Sequence, residues 1–287
     1  MTLPNFIVIG AYKSGTTSLY HYLRQHPDIF MPIKKEPNFF AHEKKTNLVN
    51  QENKKENVID NIEAYTSLFS GVKNEKAIGE ASPIYLGTPI AAQRIKESIP
   101  EVKLIAILRQ PIDAFYSDHN MRVRDSRKLE SDFRERVKTI EGRIRAGEIS
   151  GPMYYKQLKT YYDLFDASQI KVYLYDDLRK DNIALVQDIY KFLGVDDSFC
   201  PDAEGIYNIG GIPKFDILNN KLNRALKGQR IKSRPFLKNI LIKLQQMNMT
   251  PFPPLSPELR TELTDIFRED IQNLEKLIGR DLSSWLN

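Results

Sequence analysis

The stretch Phe6-Ile7-Val8-Ile9-Gly10-Ala11-Tyr12-Lys13-Ser14-Gly15-Thr16-Thr17-Ser18 decides the fold. Its first four residues are apolar and mostly β-branched, which is typical of a buried parallel strand that ends at Gly10. From Thr16 to Gln25 the apolar residues recur at helical spacing, and Pro27 ends that pattern. The segment therefore predicts a strand, a tight turn and a helix.

The same alternation continues along the chain. Val102–Leu108 and Ile170–Tyr175 are further apolar runs that indicate buried strands. Helical patterns occupy the following ranges: 89–99, 111–124, 128–147, 154–165, 178–193 and 256–279. Strands alternating with helices predict an α/β fold of three layers, with a central parallel sheet flanked by helices. No internal repeat or clear linker interrupts residues 1–287, so we expect a single domain.

Composition excludes several classes of protein. Of the 287 residues 41% are apolar, enough for a sizeable core, so wholesale disorder is excluded. The formal net charge of +5 favours anionic ligands but is too small to indicate a dedicated nucleic-acid binder. Cys200 is the only cysteine, which excludes an intrachain disulfide framework and a multi-cysteine zinc site. With no long uncharged apolar run and no signal-peptide pattern, we expect a reducing, cytoplasmic setting and no transmembrane segment.

Two segments depart from the α/β pattern. Residues 41–60 are polar with little periodicity, which predicts a solvated loop insertion. Residues 215–255 form a basic helical and loop segment, within which 221–243 contains eight Lys or Arg and no Asp or Glu. Such a run is usually a solvated helix face, although without opposing charge it also favours contact with an anion.

The turn after the first strand has the features of an anion-binding site. Backbone N–H groups at a helix N-terminus have no intrahelical partner and attract anions, and Gly10 and Gly15 permit a tight turn there. The phosphate-loop pattern G-x-x-x-x-G-K-[ST] is nearly met, but Thr16 replaces its lysine, and Lys13 lies inside the loop instead. Because Arg109, not an acidic residue, follows the strand 102–108, a metal-dependent nucleotide hydrolase is disfavoured.

These residues resemble the sulfotransferases that use 3′-phosphoadenosine 5′-phosphosulfate (PAPS). Lys13-Ser14-Gly15-Thr16-Thr17 is similar to the loop that binds the 5′-phosphosulfate in that family. Arg109-Gln110-Pro111-Ile112-Asp113-Ala114-Phe115-Tyr116-Ser117 is similar to its 3′-phosphate signature. The matches span nearly the whole chain in the right order, and the resemblance implies a P-loop-like fold.

Further segments resemble the heparan-sulfate-type and bacterial branches of the family. Lys35-Glu36-Pro37-Asn38-Phe39-Phe40 and Gly79-Glu80-Ala81-Ser82-Pro83-Ile84-Tyr85 match their K-E-P-x-F-F and E-x-S-P-x-Y segments. Ala81 stands where the heparan branch often has lysine, which counts against an anionic polysaccharide acceptor. The cysteine pair of that branch is missing, since Cys200 is alone, and Asn208–Lys214 resembles the bacterial form of the loop that caps the cofactor.

The resemblance implies a set of site residues. Lys13 would neutralise the leaving oxygen and Glu36 would be the catalytic base. Independently of the resemblance, His42 and His119 are rival bases, because histidine often serves as a base. The donor would be PAPS, the product adenosine 3′,5′-bisphosphate (PAP), and no metal would be needed. The expected cofactor-binding residues are Lys13, Ser14, Gly15, Thr16, Thr17, Ser18, Arg109, Ser117, Tyr207 and Lys214.

The expected reaction is in-line transfer of a sulfuryl group to a hydroxyl, or less readily an amine, of a carbohydrate, lipid or small-molecule acceptor. A non-catalytic nucleotide or nucleic-acid binder and a P-loop-type kinase are the alternatives. We expect no nucleic-acid partner for the enzyme, while the acceptor's identity and the oligomeric state stay open.

Overall fold

The computed structural model describes residues 2–42, 59–126, 133–149, 151–202, 211–227 and 235–287. Its strands are β1 Phe6–Gly10, β2 Ile29–Phe30, β3 Ala77–Ala81, β4 Lys103–Leu108, β5 Ile170–Leu174, β6 Ile212–Pro213 and β7 Met249–Thr250. Strands β1 to β5 form one parallel sheet in the order β2-β3-β1-β4-β5, and β6 pairs antiparallel with β7. The expected α/β fold with a central parallel sheet is confirmed.

Helices cover both faces of this sheet. In chain order they are α1 Thr16–Leu23, α2 Ile62–Ser67, α3 Pro89–Ser98, α4 Pro111–Ser126, α5 Phe133–Arg145, α6 Tyr154–Tyr162, α7 Tyr175–Lys180, α8 Asn182–Leu193, α9 Asp216–Lys227, α10 Pro235–Met247 and α11 Pro257–Ile278. None of the helices in these described ranges is both long and apolar enough to cross a bilayer.

The alternation of side chains along β1 and β4 produces two hydrophobic cores. Ile7 and Ile9 point into a core that is closed by α3, α4, α6 and α11. Phe6 and Val8 point to the opposite face, where residues of α1 and α8 cover them. All five residues of β1 are buried, as expected for a central parallel strand with helices on both sides.

The ends of α11 follow the capping signals of the sequence, whereas Thr88 at the start of α3 makes no capping hydrogen bond, because its hydroxyl donates to the Ile84 carbonyl oxygen at 2.9 Å. Ser256 caps α11 by accepting a hydrogen bond from the Leu259 N–H, and Gly279 ends that helix in the left-handed conformation. The single helix predicted over 178–193 is wrong, because α7 ends at Lys180 and α8 begins at Asn182. The Asp181 carboxylate accepts a hydrogen bond from the Ala184 N–H at 2.9 Å, so it starts a new helix at this point.

The two segments that depart from the α/β pattern are described only in part. Most of the 41–60 insertion lies outside the described residues, so its loop character stays a prediction. Of the 215–255 segment, α9, α10 and β7 are described. The single-domain organisation likewise stays a prediction.

Candidate active site

The phosphate-loop candidate joins β1 to α1. Gly15 is the N-cap of α1 with φ 91°, and a Cβ at this position would lie 2.9 Å from Leu178 Cδ2, so the turn requires glycine. No side chain caps α1 and its first turn contains no acidic residue. The N–H groups of that turn are therefore available to an anion, and the helix dipole favours one.

Hydroxyl side chains in the loop differ in accessibility. Ser14 and Thr16 are buried, and the Ser14 hydroxyl donates to the Tyr12 carbonyl oxygen at 3.3 Å. Thr17 and Ser18 are half-buried on the first turn of α1. Because a buried Ser14 is committed to the loop backbone, Thr17 and Ser18 are the more accessible hydroxyl groups.

Three residues other than glycine adopt a left-handed backbone within the described ranges. They are Lys13 with φ 62°, Glu36 with φ 60° and Asn38 with φ 59°. Asparagine tolerates this region, whereas lysine and glutamate enter it at a cost of about 1–2 kcal/mol each. Such strain concentrates at functional sites, and here it falls on both residues assigned to catalysis.

The segment that carries Glu36 is attached to the end of β3. The Glu36 N–H donates to the Ala81 carbonyl oxygen at 3.1 Å, and the Asn38 N–H donates to Ser82 Oγ at 3.1 Å. The Glu36 carboxylate forms an ion pair with Lys35. Tyr12 belongs to the phosphate-loop candidate, and its pKa is raised to about 12 by partial burial and then by the carboxylates of Glu36 and Asp118. The Glu36 carboxylate is therefore close enough to the loop to act on it electrostatically.

Beneath this attachment lies the buried carboxyl group of Glu80. Its side chain is fully buried and accepts hydrogen bonds from Ser82 Oγ at 2.8 Å, Tyr85 Oη at 2.8 Å and Tyr65 Oη at 3.2 Å. Burial raises the pKa of Glu80 to about 7, although the three hydroxyl donors oppose that rise. Glu80 therefore acts as a hydrogen-bonding residue at the end of β3.

Arg109 follows β4 directly and contacts the loop. Its Nη1 donates to the Lys13 carbonyl oxygen at 3.3 Å, and its guanidinium lies 5.1 Å from the centroid of the Tyr175 ring. Ser117 is half-buried on α4, the helix that follows. Arg109 and Lys13 thus meet at the carboxyl edge of the sheet, where ligands of α/β proteins bind.

A cleft of about 660 Å³ opens next to the loop. Its walls come from the loop, the 83–88 segment, α4, α5 and the start of α6. The lining residues are Ala11, Tyr12, Pro83, Ile84, Leu86, Gly87, Thr88, Ala114, Phe115, Asp118, Met121, Arg122, Arg136, Thr139, Ile140, Arg143, Ile149, Gly151, Pro152, Tyr154 and Gln157. Lys13 Nζ lies 3.4 Å from Met121 Sδ, so its ammonium reaches the wall of this cleft.

Charged groups of the cleft centre on Asp118. Asp118 Oδ2 accepts hydrogen bonds from Arg136 Nη2 at 2.5 Å and from Arg122 Nε at 2.9 Å. Burial alone would raise the pKa of Asp118, but these two guanidinium groups outweigh it and lower the pKa. The Arg136 guanidinium also lies 4.5 Å from the centroid of the Phe115 ring. Its Nη1 is buried and has no hydrogen-bond partner among the described residues, which leaves its N–H groups unused at the cleft.

Sequence reasoning missed this charged group. Arg122 and Asp118 form an i,i+4 pair on α4, just after the predicted Ser117, and this spacing is the one signal that was available. Arg136 comes from α5, and only the packing of α5 against α4 brings it to Asp118.

The remaining expected site residues are spread more widely. Lys214 is exposed, and its backbone N–H donates to the Asn248 carbonyl oxygen at 2.7 Å, which ties it to the β6–β7 pair. Tyr207 lies outside the described residues. Of the rival bases, His119 is buried against the rings of Tyr116 and Phe133, and His42 is exposed.

The chain belongs to the sulfotransferase family: the family model described as "Sulfotransferase domain" matches residues 3–206. It is an enzyme of the transferase class, as the sequence motifs indicate, and the alternatives of a non-catalytic binder or a kinase are not favoured. The expected PAPS-dependent sulfotransferase family is thereby confirmed.

Relatives and a solved structure agree with this assignment. A crystal structure of a sulfotransferase from Alicyclobacillus acidocaldarius is 33% identical, with a TM-score of 0.74 over 100% of both chains. The membrane-associated sulfotransferase kil1 of Dictyostelium discoideum is 26% identical, over 100% of this chain and 67% of the relative. The bifunctional heparan sulfate N-deacetylase/N-sulfotransferase 4 of Mus musculus is 27% identical over 99% of this chain, which spans only 31% of that longer protein.

Proposed function

We propose that the chain transfers the sulfuryl group of PAPS to a hydroxyl group of an acceptor bound in the 660 Å³ cleft. The observation that carries this proposal is the backbone of Lys13 and Glu36. The backbone of both residues is held in a strained left-handed conformation at the same end of the sheet, beside an uncapped helix N-terminus. A surface lysine and a surface glutamate have no reason to keep such strain.

The donor would lie across the carboxyl edge of the sheet. The N–H groups at the start of α1, with the hydroxyl groups of Thr17 and Ser18, suit its 5′-phosphosulfate. Arg109 suits the 3′-phosphate because its planar guanidinium can bond two oxygens, and Ser117 would add a hydroxyl from α4. Lys214 and Tyr207 are assigned to close over the nucleotide. Bound in this way, PAPS supplies an activated sulfur centre for displacement.

Catalysis would rest on two side chains. Glu36 would accept the proton of the acceptor hydroxyl while the new S–O bond forms, and the bond from sulfur to the bridging oxygen breaks in line with it. Lys13 would offset the negative charge that develops on that bridging oxygen as PAP leaves. The role parallels charge stabilisation in phosphoryl transfer, where positioning and electrostatics supply most of the catalysis.

We assign the neutralising charge to Lys13 and Arg109, so that no metal ion takes part in our proposal. The lone exposed cysteine, Cys200, suits a reducing, cytoplasmic setting, which belongs to the same proposal. We also assign residues 1–287 to one sulfotransferase domain.

The residues that line the cleft restrict which carbohydrates, lipids or small molecules suit it as acceptors. Apolar side chains such as Ile84, Phe115 and Ile140 line it beside Arg122 and Arg136. Because Arg136 Nη1 has no hydrogen-bond partner in the part of the chain that the structure describes, an acceptor oxygen would satisfy a buried donor there. We assign an acceptor with an apolar body and an anionic group. Arg122→Gln should raise KM for a carboxylated acceptor and leave KM for its uncharged analogue unchanged.

The sulfuryl-transfer proposal is tested by supplying PAPS with hydroxylated acceptors and measuring the mass gain of one sulfuryl group. Lys13→Ala should lower kcat by about 10²–10³-fold, by analogy with the loss of one oxyanion-hole donor, while affinity for PAP changes much less. Lys73→Ala is the matched control, because Lys73 is exposed and remote in sequence from both motifs. A Lys13→Ala enzyme that loses affinity without losing turnover would contradict the catalytic assignment.

Ligand choice provides a second readout. PAP at 100 times its Kd should stabilise the folded protein by about 3 kcal/mol in a denaturation experiment. Greater stabilisation by ATP with magnesium than by PAP would overturn the proposal in favour of a kinase.

A further inference from the structure

Charge is distributed very unevenly between the α/β body and residues 211–255. This segment contains nine Lys or Arg and one acidic residue, Asp216, a net charge of +8. Because the whole chain carries +5, the remaining residues together carry −3. The positive charge of the protein is thus concentrated in one segment, and all of that segment lies beyond the family-model match, which ends at residue 206.

A stripe of exposed apolar side chains runs along α10. Leu237, Ile240, Leu244 and Met247 are spaced by three, four and three residues, so they share one helix face. Their exposed fractions are 37%, 39%, 44% and 72%. A helix face of this kind normally packs against a core, and here it faces solvent.

The start of α9 adds exposed apolar side chains near the end of this stripe. The Asn248 side chain donates to the Phe215 carbonyl oxygen and accepts from the Phe215 N–H, both at 3.0 Å, so the start of α9 lies against the end of α10. Phe215, Ile217 and Leu218 are 67%, 75% and 42% exposed. We call the seven exposed side chains the apolar patch: Phe215, Ile217, Leu218, Leu237, Ile240, Leu244 and Met247.

Four exposed cationic side chains lie next to residues of the apolar patch. Lys221 and Arg224 are exposed one and two turns beyond Ile217 on the same face of α9. Lys243 is exposed next to Leu244, and Lys214 next to Phe215. A partner that binds this surface must therefore have hydrocarbon groups that contact the apolar patch and negative charges that contact the neighbouring Lys and Arg side chains. Nucleic acid supplies the charge but not the hydrocarbon.

We propose that the apolar patch and its cations dock on an anionic lipid bilayer, with α9 and α10 lying in the plane of the interface. Helices of this composition insert their apolar face at the boundary of headgroups and acyl chains, and nearby Lys and Arg are attracted to anionic lipids. This docking does not depend on the sulfuryl-transfer proposal. It would position the enzyme at a membrane surface without a membrane-spanning helix.

Vesicle sedimentation with the full chain tests the docking. The protein should sediment with phosphatidylcholine vesicles that contain phosphatidylserine, and far less with phosphatidylcholine alone. Added salt should weaken the binding, because part of the attraction is electrostatic. Equal binding to the neutral and the anionic vesicles, or no binding to either, would overturn the proposal.

Matched double variants identify the surface. Ile240→Gln with Leu244→Gln should lower vesicle affinity at least tenfold, whereas Ile90→Gln with Leu164→Gln should leave it unchanged. The control pair is 36% and 37% exposed, close to 39% and 44% in the patch, and lies outside residues 211–255. Turnover of a soluble acceptor should be the same for wild type and both variants, which separates docking from catalysis.

Two further outcomes would reject the lipid assignment. Wild-type dimers that the patch variant dissociates would identify the surface as a contact between two copies of the chain. A loss of vesicle binding in the control pair equal to that in the patch variant would show that the binding is not specific to the patch.

Discussion

Replacing Glu80 by glutamine should change how the stability of the protein depends on pH. The unfolded chain ionises this carboxyl group near pH 4.5, whereas burial raises its pKa to about 7 in the folded protein. Between these values the folded state holds a proton that the unfolded state has lost. Its contribution to stability is therefore fully present below pH 4.5 and is lost as pH rises towards 7.

The magnitude follows from the two pKa values. A rise from 4.5 to about 7 corresponds to about 3 kcal/mol, of which about 2 kcal/mol is lost between pH 5 and pH 8. The group is fully buried, so solvent screening does not reduce this figure much. Glutamine cannot ionise, although its amide oxygen can still accept from Tyr65 and Tyr85. Glu80→Gln should therefore remove this part of the pH dependence.

Urea denaturation at pH 5 and pH 8 measures the effect. The fall in unfolding free energy between the two pH values should be about 2 kcal/mol smaller in Glu80→Gln than in wild type. Burial also raises the pKa of Asp270, to about 6, but this residue is present in both proteins and cancels in the comparison. Glu63→Gln, at an exposed carboxylate on α2, should behave like wild type. If Glu80→Gln and wild type lose the same stability, Glu80 is not buried as described.

Three further substitutions test the loop and the packing around it. Gly15→Ala should lower the unfolding free energy by about 1–3 kcal/mol, because φ is 91° and the new Cβ would lie 2.9 Å from Leu178. An unchanged urea denaturation curve would contradict that geometry. Arg109→Ala should weaken binding of PAP more than binding of adenosine 5′-monophosphate in calorimetry, and equal losses would refute its role at the 3′-phosphate. Trp285→Ala should cost about 3–5 kcal/mol in thermal unfolding, since the indole is only 2% exposed, and a loss below 1 kcal/mol would show that the chain end is not docked.

Local sequence patterns predicted those elements of the fold whose bounds are determined by residues near each other in the chain. The strand, turn and helix from Phe6 to Leu23 follow from apolar spacing and two glycines, and the ends of α11 follow from Ser256 and Gly279. The break between α7 and α8 escaped prediction. There a single side-chain hydrogen bond at Asp181 outweighs an otherwise continuous helical pattern.

The site shows the same division between local and distant causes. Residues in motifs, such as Lys13 and Arg109, could be named from the sequence. The pairing of Arg136 with Asp118 and the enclosure of Glu80 depend on contacts between helices and strands far apart in the chain. No periodicity in one segment encodes such a contact, so these groups become visible only once the elements are packed.

The left-handed backbone at Lys13 and Glu36 implies that, at these two positions, the residue best for catalysis is not the residue that gives the highest thermal stability. Glycine adopts this region freely, so Lys13→Gly and Glu36→Gly relieve strain at the cost of extra freedom in the unfolded chain. Variants selected only for resistance to heat should tolerate glycine at both positions, whereas variants selected for turnover should keep the charged side chains. With the catalytic roles proposed for Lys13 and Glu36, thermostability engineering of this enzyme must leave these two residues untouched.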